Sequence, residues 1–248
     1  EVGYAGDDAG VVWESALPEG SGGGSTTTGG QLVADTGNDK LQHFEVLDAN
    51  GDWVVIDSDG TTVAGAHGIL TVNLDGSWTY ELTAPVTHGD AGQTGADDQV
   101  EDGFKVRAVD SDGDVSPEAD LVIAINDDGP KAADDQVTQT AENESVDIDV
   151  FANDKGGADG VDLVTGVQVV EGSLSGRGDL TYNEDGTFTY RPADGEEGEV
   201  SFKYTITDAD GDSATATVTI TLQADSKPVV EVGYAGDDAG VVWESALP

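Results

Sequence analysis

The sequence predicts an all-β protein built from two tandem β-sandwich domains. Three observations carry that prediction. Apolar and polar residues alternate with a period of two in one short segment after another, and no segment sustains the 3.6-residue period of a helix. Thirty-five glycines punctuate those segments, many in Asp-Gly pairs that suit tight turns. Two motifs also occur twice. DGSWTY at 75–80 pairs with DGTFTY at 185–190, and FKVRAVD-SDGD from Phe104 pairs with FKYTITD-ADGD from Phe202.

In the first half, alternation is clearest at 68–72 (GILTV), 104–110 and 120–125 (DLVIAI). In the second half, strands are expected at 134–140, 146–151, 162–170, 178–183, 187–191, 200–208 and 214–223, with antiparallel neighbours. Each half ends in a short acidic linker containing proline, NDDGP at 126–130 and DSKP at 225–228. The first sandwich is therefore assigned to 11–128 and the second to 129–226. The first has the longer spacing before its penultimate strand, 26 residues from Trp78 to Phe104 against 14 from Phe188 to Phe202. The extra residues are polar and Gly-rich and read as a surface loop; 21–30 is another flexible stretch.

Residues 1–18 return letter for letter as 231–248, a spacing of 230 residues. A recurrence of that length points to an array of near-identical units, and many copies of one unit serve length, valency or both. Residues 1–10 then read as linker from a preceding unit, and 227–248 as linker plus the start of the next.

The formal charge is −42, from 51 acidic and 9 basic residues. Duplex DNA and anionic membranes repel such a chain, so neither is expected as a partner. Self-repulsion has two remedies, bound cations or a surface adapted to high salt. There is no cysteine, so modest domains need a stabiliser other than disulfides, and bound metal is the usual one. No apolar run approaches the roughly 20 residues that span a bilayer. Enzymatic motifs are missing too. Gly172–Gly176 (GSLSG) has leucine where a nucleophile elbow needs serine, and the spacing of His43, His67 and His88 carries no zinc signature.

Calcium takes six to eight oxygen ligands, so the acids must converge to bind it. In a sandwich, alternate loops fall at opposite ends. The second-domain loop with Asn153, Asp154 and Asp159 therefore shares its leading end with the loop of Asp208, Asp210 and Asp212. The linker Asn126, Asp127 and Asp128 arrives there as well. The trailing end carries Glu142, Asn143 and Glu144, Asp194, Glu196 and Glu197, and Asp225 of the second linker. Aligned on their prolines, the linkers pair Asp127 with Asp225 but Asn126 with Ala224 and Asp128 with Ser226, so the second junction offers fewer ligands. The first domain has Asp110, Asp112 and Asp114 at its leading end, with Asp35, Asn38 and Asp39 near. Solvated turns are the competing reading for these loops. Asp75-Gly76 and Asp185-Gly186 read as turns only. Asp48-x-Asn50-x-Asp52 imitates the start of an EF-hand loop without its twelfth-position glutamate. Trp78 and Phe188 read as core.

The second half resembles the cadherin-like, immunoglobulin-type repeats of giant bacterial RTX adhesins exported by type I secretion. The resemblance rests on AENESVDIDVFANDKGGADG (141–160), YNEDGTFTYRP (182–192) and YTITDADGDSATATVTI (204–220). The first half is similar to the companion repeats of such adhesins, through VVWESALPEGS (11–21), GILTVNLDGSWTYELTAPV (68–86), VRAVDSDGD (106–114) and INDDGP (125–130). The resemblance implies calcium at the domain junctions. It also implies a place on the bacterial cell surface, and a role as extender within a monomeric rod whose partners are neighbouring repeats. Glu142 and Glu144 then resemble the cadherin glutamates that ligate interdomain calcium, and Glu14 joins the candidate ligands. Two other readings stand beside it: a polysaccharide- or protein-binding module using Trp13, Trp53 and the long first-domain loop, and acidity as salt adaptation alone.

Overall fold

A computed structural model describes residues 2–4 and 10–230, with side chains from residue 10 onward. The second copy of the repeated segment, 231–248, lies outside the described residues. The first sandwich comprises β1 (Val2–Tyr4), β2 (Val11–Trp13), β3 (Thr27–Leu32), β4 (Leu41–Leu47), β5 (Trp53–Val55), β6 (Thr61–Ala64), β7 (Gly68–Val72), β8 (Ser77–Leu82), β9 (Gly95–Asp110) and β10 (Ala119–Asp127). One sheet has the order β1-β3-β8-β7-β6 and the other β2-β10-β9-β4-β5. Alternate residues of each sheet, Leu70, Val72, Trp78 and Tyr80 from the first and Val46, Phe104, Leu121 and Ile123 from the second, close one buried core.

The second sandwich comprises β11 (Asp135–Thr138), β12 (Val146–Asp149), β13 (Val167–Val169), β14 (Asp179–Tyr182), β15 (Thr187–Arg191), β16 (Gly198–Thr207) and β17 (Ser213–Leu222). Its sheets are β11-β17-β16-β13 and β12-β15-β14, around Phe188, Tyr190, Phe202, Tyr204 and Ile220. All seven expected strands are present. The third is reduced to three residues because Asp162 builds a turn in its place, accepting from the Val164 amide through Oδ1 at 2.8 Å and from the Gly166 amide through its carbonyl at 2.7 Å.

Three features depart from the sequence reading. Val2–Tyr4, read as linker, form an edge strand antiparallel to β3. The opening strands are parallel rather than antiparallel to the closing ones, β2 to β10 and β11 to β17. The long first-domain loop is not a free surface loop, because it folds back over the junction.

Each sandwich has one buried polar hub. Asp102, 1% exposed, accepts from the Tyr80 hydroxyl at 2.8 Å and from the amides of Ala66, His67 and Gly68 at 3.0–3.2 Å. Gly65 beside it has no room for a Cβ, which would meet the Asp102 carboxylate and the Phe104 ring. In the second sandwich the Tyr204 hydroxyl donates to Asp154 at 2.8 Å and Asp135 at 3.2 Å.

Candidate metal centre

Backbone pairing builds the junction. Parallel β2 lies along β10 with Trp13 opposite Asn126, so Glu14, the first residue of a 3-10 turn, arrives beside Asp127. The β9–β10 register slips between Asn126 and Asp127, a bulge of the kind that re-aims a side chain. From the second sandwich, the loop between β16 and β17 brings Asp208, Asp210 and Asp212. The stretch before β13 brings Asp159.

The long loop between β8 and β9 closes over this cluster. Its Val86 amide donates to Glu14 Oε1 in a short contact, its His88 amide to Asp210 at 3.4 Å, and its Gly92 amide to Asp212. Asp128 ties both sandwiches together. It accepts from the amide and hydroxyl of Ser21 in the first and from the Ala158 amide, at 3.0 Å, in the second.

Three overlapping groups of ligand atoms result, each with its atoms within 4.8 Å of one another: Asp208, Asp210 and Asp212; Asp127, Asp159 and Asp210; and Glu14, His88 and Asp127. Many of their atoms are buried without a hydrogen-bond partner, namely Glu14 Oε2, Asp127 Oδ2, Asp159 Oδ2, Asp208 Oδ2, Asp210 Oδ1, Asp212 Oδ2 and both His88 ring nitrogens. Buried acceptors lacking donors cost about 1–3 kcal/mol each. No Lys or Arg among the described residues forms an ion pair with these carboxylates.

The protonation equilibria register this strain. Burial pushes Asp127 up to about 9, with a hydrogen bond shared with Asp212 and the Asp210 charge adding to it. Burial likewise raises Glu14 to about 8 despite the Val86 amide, and Asp208 to about 7 with help from Asp210. Asp159 rises to about 6 through burial and the charges of Asp210, Asp128 and Asp212. Without a cation, Asp127 and Glu14 keep their protons at neutral pH, while Asp208 and Asp159 lose theirs near and just below it.

The other candidates lie elsewhere. Asn126 is buried and accepts from Gln99 Nε2 at 2.5 Å. Asp154 accepts from the Ala133 amide at 2.8 Å through one oxygen and from the Tyr204 hydroxyl through the other, and it joins none of the metal-sized groups. Asn153 is exposed and donates to the Asp134 carbonyl. At the trailing end, Glu142 is held below the ordinary range by hydrogen bonds with Ser226, and Asp225 is raised by its hydrogen bond with Glu142. Glu144 accepts from Thr140 at 3.2 Å. None of these three is in a metal-sized group.

In the first sandwich Asp110 and Asp112 do meet Asp39, in an exposed group, while Asp114 closes the turn by donating its amide to Asp110 at 2.9 Å. Asp48 spends Oδ1 on the amides of Asn50 and Asp52, both at 2.9 Å, an Asx turn. Asp75 and Asp185 do the same for Ser77 and Thr187.

Sequence reasoning missed the part of the centre supplied by the long loop. His88 reaches it only because that loop folds back, beside Asp98 at the start of β9, and no local spacing signals that return. Asp159 and Asp210 were visible as acids in loops at the correct end.

No curated protein matches the chain. Among solved structures, the D00-D0 domains of intimin align over 89% of this chain and 100% of their own, at 14% identity and a TM-score of 0.32. Human CDH23 EC21-23 aligns over 86% of this chain and 71% of its own, at 15% identity and 0.32. The endo-fucoidan hydrolase MfFcnA9 of glycoside hydrolase family 107 aligns over 72% of this chain at 18% identity and 0.29, and the chain spans only 30% of that enzyme. Scores of this size say nothing of what those proteins bind or do. The family comparison is firmer: residues 126–221, the second linker-bearing sandwich, match the model of the bacterial Ig domain.

Proposed function

We propose that this chain is a non-enzymatic extender repeat of a secreted bacterial surface adhesin, stiffened by calcium at the junction between its sandwiches. One observation carries the reading: acidic residues from both sandwiches and their linker converge where the two domains meet, and one oxygen of each is buried without a donor. Oxygen-only sets of this size suit calcium, which accepts six to eight ligands in irregular geometry. Asp127, Asp159, Asp208, Asp210 and Asp212 are the protein ligands in this account. A shared ion removes the hinge between domains and makes an array of such units a rod, with its adhesive tip elsewhere in the protein.

The reading of the aromatics as a glycan platform finds little support. The Trp53 ring is covered by the Arg107 guanidinium 3.8 Å from its centroid, and Trp13 packs against Gly24 at the junction.

Thermal unfolding in millimolar calcium, in EDTA, and in magnesium at matched ionic strength tests the proposal. The expected result is strong stabilisation by calcium alone, reduced by Asp210→Asn. Equal melting in all three would assign the acidity to salt adaptation and end the calcium account.

A further inference from the structure

One of the three ligand groups differs chemically from the others. Glu14, His88 and Asp127 combine two carboxylates with an imidazole, and calcium is poorly served by nitrogen. We infer that this group is a second metal position, selective for a borderline transition-metal dication of the zinc class and separated from the oxygen-only cage by a shared Asp127. The inference shares Asp127 with the calcium reading, but Glu14 and His88 belong to no other group.

Four observations carry it. The His88 side chain is 1% exposed and that of Glu14 fully buried, and neither imidazole nitrogen has a hydrogen-bond partner. Both nitrogens face carboxylates without making a hydrogen bond, and a buried imidazole left so is uncommon unless something occupies the space beside it. His88 Nε2 lies 3.4 Å from Glu14 Oε2. Two ligands about 2.0–2.1 Å from a tetrahedral zinc stand roughly 3.3–3.4 Å apart, so the pair is already spaced for one ion.

The orienting groups are also in place. The opposite nitrogen, Nδ1, faces Asp98 Oδ1 at 3.6 Å, just beyond hydrogen-bond length, where a small approach would give the carboxylate–histidine pairing that sets which ring nitrogen meets a metal. Asp98 is itself fixed by the Asp90 amide at 2.8 Å, and Glu14 by the Val86 amide. Three protein ligands leave the fourth position for water. A cleft of about 670 Å³ reaches Asp127, the third member of the group.

The test uses the full chain held in saturating calcium, with cobalt(II) and zinc(II) as the probes. A His43→Gln/His67→Gln variant leaves His88 as its one imidazole. The expected result is one equivalent of cobalt with tetrahedral absorption bands, displaced by zinc, and a nitrogen coupling in pulsed electron resonance of a copper-loaded sample. His88→Gln should lower zinc affinity by about 100-fold or more while the calcium-dependent melting stays in place. If His88→Gln does not fold, the nitrogen coupling in the His88-only variant decides alone. Absence of binding, absence of nitrogen coupling, or undiminished zinc affinity in a folded His88→Gln protein would overturn the inference.

Discussion

At the scale of single residues, the junction separates acids that hold the fold from acids available to a cation, and the two classes predict different behaviour. Tyr204 donates to Asp154 and Asp135, and burial raises Asp135 to about 6 even with that hydrogen bond opposing it. Tyr204→Phe should cost about 1–3 kcal/mol in urea unfolding of the second sandwich and leave calcium affinity unchanged. Asp210→Asn should do the reverse. It removes one charge from a repelling group, so the calcium-free protein should lose little stability or gain some, while calcium affinity falls at least tenfold by calorimetry. This distinction was only half legible in the sequence. Asp154 and Asp159 stand five residues apart in one acidic stretch, and nothing local says that Asp154 turns inward to Tyr204.

The raised carboxylates also fix the sign of a pH response. A carboxyl whose folded value lies above its unfolded value is stabilising when protonated, so stability is lost as pH rises through the folded value. With Asp159 at about 6, Asp208 about 7, Glu14 about 8 and Asp127 about 9, the calcium-free protein should melt at progressively lower temperature between pH 5 and 9. Calcium should flatten that slope. Its binding should release protons, measurable as a buffer-dependent heat near pH 7.

At the scale of elements, strands were the most legible part of the chain because their alternation is local. β7 at Gly68–Val72 falls where the GILTV pattern places it, and β15 at Thr187–Arg191 likewise. Pairing was less legible. The parallel β2–β10 contact that delivers Glu14 joins segments more than 100 residues apart, and three residues of β2 carry no signature of it. Asp102 was also invisible, one acid among many in β9, yet it holds the turn between β6 and β7 through three hydrogen bonds and Tyr80 of β8 through a fourth. Asp102→Leu leaves those donors buried and unpaired. It should destabilise the first sandwich by about 3 kcal/mol or more, while the second, with its own core, unfolds as in the parent chain. Two-probe unfolding, with Trp78 reporting on the first sandwich and circular dichroism on the whole, separates the two.

At the scale of the whole molecule, the central matter is whether the sandwiches move as one. Asp128 already touches both, through Ser21 and Ala158, and the loop between β8 and β9 donates to Asp210 and Asp212 across the boundary. These contacts are few, and they converge on carboxylates that repel one another. On the proposed reading, a divalent ion at their centre would relieve that repulsion and stiffen the joint. The repetition of residues 1–18 at 231–248 is what suggested an array, and the extender proposal rests on its joints holding direction.

Small-angle X-ray scattering of this two-domain chain, in calcium and then in EDTA at equal ionic strength, tests that claim most directly. The account predicts a narrow, elongated distance distribution in calcium that broadens in EDTA, and recovers when calcium is returned. Indistinguishable curves in calcium and EDTA would contradict it, because the joint would then owe nothing to the ion.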